Sequence, residues 1–196
     1  MTIVVMGKDL AVSESYSNGV NVLVLVGSLR KQSINRQLAE VAVGTAPDGV
    51  RLNLFDRLGE LPFYNEDIDT EPAPEPVAAL RAAAAEADAT LIVTPEYNGG
   101  APGVLKNAID WLSRPYGKGA LLGKPAAVIG AALGQYGGVW AHEETRKTFG
   151  IAGARVVESI ELSIPAATLD GKHPKESAQV VANVGEVLEK LVAEVN

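Results

Sequence analysis

The sequence contains no cysteine in its 196 residues. This absence excludes a disulfide framework, a thiolate nucleophile and a cysteine-ligated metal site. Basic residues are also scarce, because 17 Lys and Arg stand against 24 Asp and Glu and give a net charge of −7. No basic cluster offsets the resulting repulsion, so we expect neither a nucleic-acid partner nor an anionic membrane surface. Small molecules are the expected partners, and the cytoplasm is the expected compartment.

Long hydrophobic runs are missing as well. The run at residues 2–6 is too short for a signal-peptide core, and no later run reaches the length of a membrane span. With 47% hydrophobic residues, the chain can still bury one substantial core. Residues 1–20 do not follow the strand–helix alternation of the rest and include the polar, turn-prone run 13–19. We expect them to form a flexible N-terminal extension before one domain at 21–196.

The two familiar glycine-rich phosphate loops, G-x-G-x-x-G and G-x-x-x-x-G-K-[ST], are absent. A continuous β-branched and Leu run at residues 22–26 is nevertheless followed by Gly27 and by a helical pattern from Ile34. This segment predicts a buried strand, an anion-binding loop and a helix with the anion at its N-terminus. Side chains must replace the glycine cradle, and four of them suit a phosphate monoester: Ser28, Arg30, Ser33 and Asn35. The alternative is that Ser33 or Asn35 only caps the helix and that Arg30 is a solvated loop residue.

A second informative loop follows the predicted strand at residues 89–94. Its glycines leave a bare backbone that a flat ligand can approach closely, and Tyr97 lies among them. Glu96 has the alternative of being an ordinary surface acid. A third glycine-rich loop, residues 132–138, follows the predicted strand at 125–131. Three strand ends therefore carry loops able to hold a ligand.

Five predicted strands alternate with five predicted helices. The strands are expected at residues 22–26, 50–55, 89–94, 125–131 and 154–157, with irregular structure at 160–173. The alternation at 50–55 is typical of an edge strand with one wetter face. The pattern predicts an α/β fold with a doubly wound parallel sheet of order 2-1-3-4-5, whose ligand crevice lies between the first and third strands.

Several other residues have ordinary interpretations. The proline-rich stretch at 61–76 predicts a long loop, and its acids at 66–71 either form a solvated surface or affect nucleotide choice or subunit contacts. Trp111 lies inside a helical pattern and is expected to pack in the core. His142 and His173 lie outside the three loops and show no triad order or metal spacing, so we interpret them as surface or helix residues.

Three segments closely resemble the NAD(P)H-dependent FMN reductase family: residues 27–35 (GSLRKQSIN), 62–67 (PFYNED) and 94–114 (TPEYNGGAPGVLKNAIDWLSR). That family includes soluble quinone, azo-dye and chromate reductases. The resemblance implies a flavodoxin-like three-layer sandwich around the five-stranded sheet. It also implies a homodimer with FMN at the interface, and further pairing to a tetramer is an open alternative.

The resemblance also implies which residues bind FMN. The phosphate would be held by Ser28, Arg30, Ser33 and Asn35, and the isoalloxazine ring would be lined by Pro95, Glu96, Tyr97 and Asn98. Ile34 and Gly99, in the same two loops, would also belong to the FMN-binding set. The third loop departs from relatives, which often have a serine or threonine where this chain has Ala131 and Ala132. Any contact there would come from backbone N–H groups, with Gly134 as the candidate, and would stabilise negative charge at the N1/O2 edge of the ring.

The activity implied by this resemblance is hydride transfer from NADPH or NADH to FMN and onward to quinones or similar small acceptors. Azo compounds, chromate and free flavin are among those acceptors. No acid–base pair is needed, because the flavin carries the chemistry, so no catalytic side chain is assigned. Two alternatives stay open: an FMN-binding electron carrier without pyridine nucleotide activity, and a non-flavin enzyme that binds another phosphate ester. Neither the physiological acceptor nor the preference for NADH or NADPH follows from the sequence.

Overall fold

Five strands pair in parallel to form one sheet of order β2-β1-β3-β4-β5 in the computed structural model, which describes residues 19–195. The strands are β1 (Val20–Val26), β2 (Val50–Phe55), β3 (Ala89–Val93), β4 (Pro125–Ala132) and β5 (Arg155–Pro165). The predicted fold class and strand order are confirmed. Of the expected N-terminal extension, residues 1–18 lie outside the described residues, whereas Val20 already pairs with Val50 in the sheet.

Helices cover both faces of the sheet. They are α1 (Ile34–Gly44), α2 (Glu75–Glu86), α3 (Gly103–Leu112), α4 (Val139–Ile151) and α5 (Ala178–Ala193). Val22 and Val24 pack with α1 and α5, whereas Leu23 and Leu25 pack with α2 and α3 on the opposite face. Because both faces of β1 are covered, its residues 22–26 are continuously apolar rather than alternating. No helix between residues 19 and 195 is both long and apolar enough to cross a membrane.

The edge position of β2 is also confirmed. Leu52 and Leu54 pack against the core cluster on the α1 side, while Arg51 and Asn53 are exposed. The predicted loop at 61–76 contains a one-turn 3-10 helix, Glu66–Ile68, and is thus less irregular than expected. Another one-turn 3-10 helix, Leu58–Glu60, precedes it.

That segment is fastened to α2 and α3. Trp111 is fully buried, as predicted, and its Nε1–H donates to the Pro62 carbonyl at 2.8 Å. The Asn107 amide donates to the same carbonyl at 3.0 Å. Within the acidic stretch, Asp69 accepts hydrogen bonds from the Arg81 guanidinium at 2.9 and 3.2 Å. Asp69 therefore forms an ion pair within the fold, and the hydrogen bonds to the Pro62 carbonyl hold the segment against α3.

The predicted length of the fifth strand is wrong. The strand runs from Arg155 to Pro165 instead of ending at residue 157, so the stretch predicted as irregular begins in a strand. The pairing with β4 shifts from Ala126 opposite Val156 to Val128 opposite Glu161, so β5 carries a bulge. The buried Arg146 guanidinium fills this bulge and donates to the carbonyls of Val128 and Ile160, both at 3.3 Å. A bulge breaks the period-two pattern by which strands are recognised in sequence.

Candidate functional site

A cavity of about 270 Å³ opens at the carboxyl ends of β1, β3 and β4. This is the edge at which ligands bind in open parallel sheets, and it includes the crevice predicted between the first and third strands. Nine of the eleven residues predicted to bind the cofactor line it: Ser28, Arg30, Ser33, Ile34, Asn35, Pro95, Glu96, Tyr97 and Gly134. The other two, Asn98 and Gly99, do not. Residues from three separate loops therefore meet at one place.

The first turn of α1 forms one end of the cavity. Ser33 is the N-cap, with extended backbone, and its Oγ accepts a hydrogen bond from the Asn35 N–H at 3.2 Å. Ser33 therefore caps the helix, as the alternative interpretation predicts. Its hydroxyl can still donate a hydrogen bond to a ligand. Arg30 is exposed beside this turn, and among residues 19–195 its guanidinium has no carboxylate within 4.0 Å. A helix N-terminus and an unneutralised cation together favour an anion at this end.

The side chain of Asn35 joins α1 to β4. Its Nδ2 donates to the Ala131 carbonyl and its Oδ1 accepts from the Ala131 N–H, both at 2.8 Å. The residue is 3% exposed. Its Oδ1 is already engaged, and one of its two amide hydrogens is left for a ligand. Asn35 therefore fixes the wall of the cavity before any ligand is considered.

Asn98 and Gly99 form the tip of the loop after β3. Both have positive φ, 54° and 74°, and Tyr97 and Gly100 exchange backbone hydrogen bonds of 3.0 and 3.1 Å across them. Two successive positive φ values define a type I′ turn, for which Asn-Gly is a preferred sequence. The turn projects beyond the cavity and leaves Tyr97, half exposed, at its mouth.

Two carboxylates fasten this loop to α4. Glu96 Oε2 accepts from the Ala141 N–H in the first turn of α4 at 3.2 Å. Glu144, on α4, accepts from the Ala101 N–H at 2.7 Å. Glu96 is therefore more than a solvated surface acid, since it binds one of the unpaired amides of a helix N-terminus. Sequence reasoning missed Glu144, because nothing in a helical pattern shows which distant backbone amide an acid will bind.

His142 lies in helix α4, as one of the two predicted options held, but it is not a surface residue. It is fully buried, with Nε2 3.0 Å from the Thr94 carbonyl and Nδ1 2.6 Å from the Ser163 hydroxyl. Burial lowers the pKa of His142, and the positive charge of Arg146 lowers it further. The hydrogen bond to Thr94 and the carboxylate of Glu96 act in the opposite direction. The histidine is therefore held neutral against the end of β3.

This lowered pKa gives the protein a specific acid sensitivity. The pKa of His142 is lower in the folded protein than in the unfolded chain. The stabilisation from the neutral, buried imidazole is therefore complete above the ordinary pKa of 6.5 and is lost as the pH falls below that value. We expect His142 to remove up to about 1.4 kcal/mol of unfolding free energy between neutral pH and about pH 5.5. Urea unfolding of the wild type and of His142→Gln across this range measures the difference. Parallel pH profiles for the two proteins would contradict the prediction.

Gly130 marks the place where the parts of the site come closest together. A Cβ added to it would lie 2.0 Å from the Thr94 carbonyl oxygen, 2.7 Å from His142 Nε2 and 2.8 Å from Asn35 Oδ1. Gly134, by contrast, has open space around its Cβ position and lies on the cavity wall, so its backbone is approachable by a ligand. The sequence singled out Gly134 but not Gly130.

Comparisons with known proteins identify the family of the chain. The sequence model of the NADPH-dependent FMN reductase family matches residues 20–169. A quinone reductase from Pseudomonas putida is 47% identical over 128 residues, which cover 65% of this chain and 68% of the relative. An NAD(P)H-dependent FMN reductase from Pseudomonas aeruginosa is 40% identical over 151 residues, covering 77% and 80%. Among solved structures, the flavoenzyme FerB, an NAD(P)H:acceptor oxidoreductase from Paracoccus denitrificans, superposes with a TM-score of 0.77 at 35% identity and covers 89% of this chain and 98% of its own.

Proposed function

The chain belongs to the NADPH-dependent FMN reductase family, and we propose that the cavity at the ends of β1, β3 and β4 is its FMN site. As a member of that family it is an FMN-dependent oxidoreductase that uses NAD(P)H and reduces quinones or similar small acceptors. When bound, FMN supplies the redox chemistry by taking a hydride from NAD(P)H and passing two electrons to the acceptor. The protein's task is to bind and orient this group and to leave one side of it open.

The cavity suits FMN at both ends. At the α1 end, the N-terminal amides, the hydroxyls of Ser28 and Ser33 and the Arg30 guanidinium are groups that bind a phosphate monoester. At the other end, the wall consists of Pro95, Tyr97 and residues 131–134, which are small apart from Leu133 and offer apolar surface and backbone N–H groups. The observation that carries the proposal is the convergence of nine residues, chosen from the sequence as FMN ligands, on one cavity.

Anaerobic reduction tests this function directly. Purified protein is loaded with FMN, freed of excess flavin and mixed with NADPH or NADH under anaerobic conditions. We expect the visible flavin absorbance to bleach with at least one nucleotide and to return when a quinone is added. FMN that binds but stays oxidised with both nucleotides would favour the electron carrier. Protein that retains no FMN would favour an enzyme acting on another phosphate ester.

We also propose that the chain forms a homodimer with the FMN site at the interface. Four large apolar side chains on the loop after β3, the loop after β4 and the first turn of α4 are each more than half exposed: Tyr97, Leu133, Tyr136 and Trp140. Tyr97 and Leu133 line the cavity. Tyr136 and Trp140 contact each other edge-on with centroids 5.5 Å apart. Exposed apolar groups concentrated at one place are typical of a protein–protein interface.

Light scattering after size-exclusion chromatography measures this assembly. We expect a mass of twice the 20.5 kDa chain, or four times if dimers pair again. Trp140→Glu places a charge in the proposed interface, so we expect it to yield monomers that retain FMN poorly. Ile151→Glu, at the far end of α4 and also exposed, is the matched control and should leave the dimer intact. A wild-type monomer, or a Trp140→Glu protein of unchanged mass, would contradict the dimer proposal.

A further inference from the structure

A layer of polar groups lies directly beneath the cavity. It contains the buried groups His142 from α4, Asn35 from α1 and the Thr94 carbonyl at the end of β3, together with the partly buried Ser163 from β5. Three of these groups close around Gly130 of β4, as the short distances from its Cβ position show. Asn35 bonds to the Ala131 backbone of β4, and His142 bonds to Thr94 and Ser163. Paired polar groups under a ligand site hold the elements above them in one arrangement. The layer therefore links α1, β3, β4, β5 and α4.

The donors and acceptors in this layer have only one neutral arrangement. The Thr94 carbonyl can only accept, so the His142 nitrogen 3.0 Å from it, Nε2, carries the proton. Nδ1 is then unprotonated and accepts a hydrogen bond from the Ser163 hydroxyl, 2.6 Å away. The charged groups that face the imidazole are Arg146 on the same helix and Glu96 on the loop above. Burial, the largest effect, lowers the pKa of the ring and favours the neutral form. Arg146 lowers this pKa further, whereas Glu96 raises it.

The Thr94 carbonyl controls the start of the cavity wall. Thr94 precedes Pro95, and its own hydroxyl donates to the Pro95 carbonyl at 3.0 Å. The orientation of the Thr94–Pro95 peptide therefore sets the direction in which Pro95, Glu96 and Tyr97 leave the sheet. The hydrogen bond from His142 Nε2 holds that peptide from below, on the side away from the cavity.

We propose that His142 is a positioning residue for the flavin site, where its Nε2–H fixes the Thr94 carbonyl and, through it, the wall formed by Pro95, Glu96 and Tyr97. The inference rests on the proposed function, since this wall has a flavin to hold only if the cavity binds FMN. His142 touches neither the flavin nor the acceptor in this role. Its effect is on how tightly the wall fits the ring.

Two amide substitutions separate the two nitrogens of the imidazole. The amide of His142→Gln reaches the position of Nε2 and can still donate to Thr94, whereas the amide of His142→Asn reaches only the position of Nδ1. We expect His142→Asn to raise the FMN dissociation constant about tenfold, because it leaves the buried Thr94 carbonyl unpaired. We expect the dissociation constant of His142→Gln to stay within about threefold of the wild-type value. Rescue by the longer amide is not expected if the histidine only fills space.

A spectroscopic measurement tests the same assignment without altering His142. The chain contains only two histidines, so His173→Gln leaves a single imidazole, which long-range nitrogen–proton NMR can follow. His173 caps a short 3-10 helix away from the cavity and serves as the control for FMN affinity. We expect the remaining ring at neutral pH to be the neutral Nε2–H tautomer in both the apo and the FMN-loaded protein.

Each outcome bears on one proposal. Wild-type protein that binds no FMN overturns the proposed function, and the His142 inference with it. If the wild type binds FMN but the Asn and Gln variants lose affinity equally or keep it equally, only the role of His142 is overturned. An Nδ1–H tautomer in the NMR spectrum also overturns the proposed role of His142. Because the NMR sample keeps His142, this test still decides the question if His142→Asn fails to fold.

Discussion

Replacing Arg30 with alanine is expected to weaken FMN binding by about 1.5 to 3 kcal/mol, which is roughly 10- to 150-fold in Kd. Arg30 lies on the cavity wall beside the N-terminus of α1, and no carboxylate among the described residues lies within 4.0 Å of its guanidinium. The cation is therefore available to a phosphate, and its forked geometry allows two parallel hydrogen bonds. Fluorescence titration of the apo protein with FMN measures the loss.

Two further variants separate a specific contact from the general effect of charge. Lys31→Ala removes a neighbouring cation that does not line this cavity, so we expect at most a few-fold change. Arg30→Lys keeps the charge but loses the fork, and we expect an intermediate affinity. Equal losses for Arg30→Ala and Lys31→Ala would indicate that only the surrounding potential matters. Unchanged affinity for Arg30→Ala would remove Arg30 from the site.

Replacing Gly130 with alanine is expected to destabilise the apo protein by about 3 kcal/mol or more and to abolish FMN binding. The added methyl group would lie 2.0 Å from the Thr94 carbonyl oxygen, which belongs to the backbone and cannot turn away. It would also meet His142 Nε2 and Asn35 Oδ1 at under 3.0 Å. Relief requires β3, α4 and α1 to move apart. The cavity wall includes the first turn of α1 and the loop after β3, and Glu96 and Glu144 join that loop to α4. Urea unfolding gives the loss of stability.

The matched control for Gly130 is Gly185, which lies within α5. A Cβ there meets nothing within 4 Å. We expect Gly185→Ala to stabilise the protein by about 0.5 to 1 kcal/mol, because alanine favours helix and restricts the unfolded chain. A Gly130→Ala protein with wild-type stability and FMN affinity would contradict the prediction, because it would show that the layer beneath the cavity accommodates the methyl group at no cost.

The sheet and the approximate outline of the site could be predicted because their signals are local. Residues 22–26 are apolar without interruption because β1 is covered on both faces, and the alternation of β2 reflects its edge position. In a parallel sheet the carboxyl ends of all strands lie at one edge. Loops that follow these strands must therefore meet, and the sequence accordingly predicts that Ser28 and Tyr97 share one crevice.

The parts that could not be predicted depend on contacts between residues far apart in the chain. The bulge in β5 is filled by Arg146, and no pattern within β5 announces a guanidinium supplied by α4. His142 has a polar side chain in a helical segment, which favours a surface position until its bonds to Thr94 and Ser163 are known. The sequence predicts Asn35 beside the first loop, and the residue lines the cavity, yet its bonds to Ala131, 96 residues away, could not be foreseen.

The carboxylates of Glu96 and Glu144 hydrogen-bond the loop after β3 to the first turns of α4, so we expect the two to shift together. In the proposed dimer, Trp140 on the same helix faces the second subunit. Cofactor binding and subunit association would then share one free-energy coupling, and such a coupling acts equally in both directions. Dilution that separates the subunits should release FMN, and saturating FMN should lower the concentration at which the subunits associate.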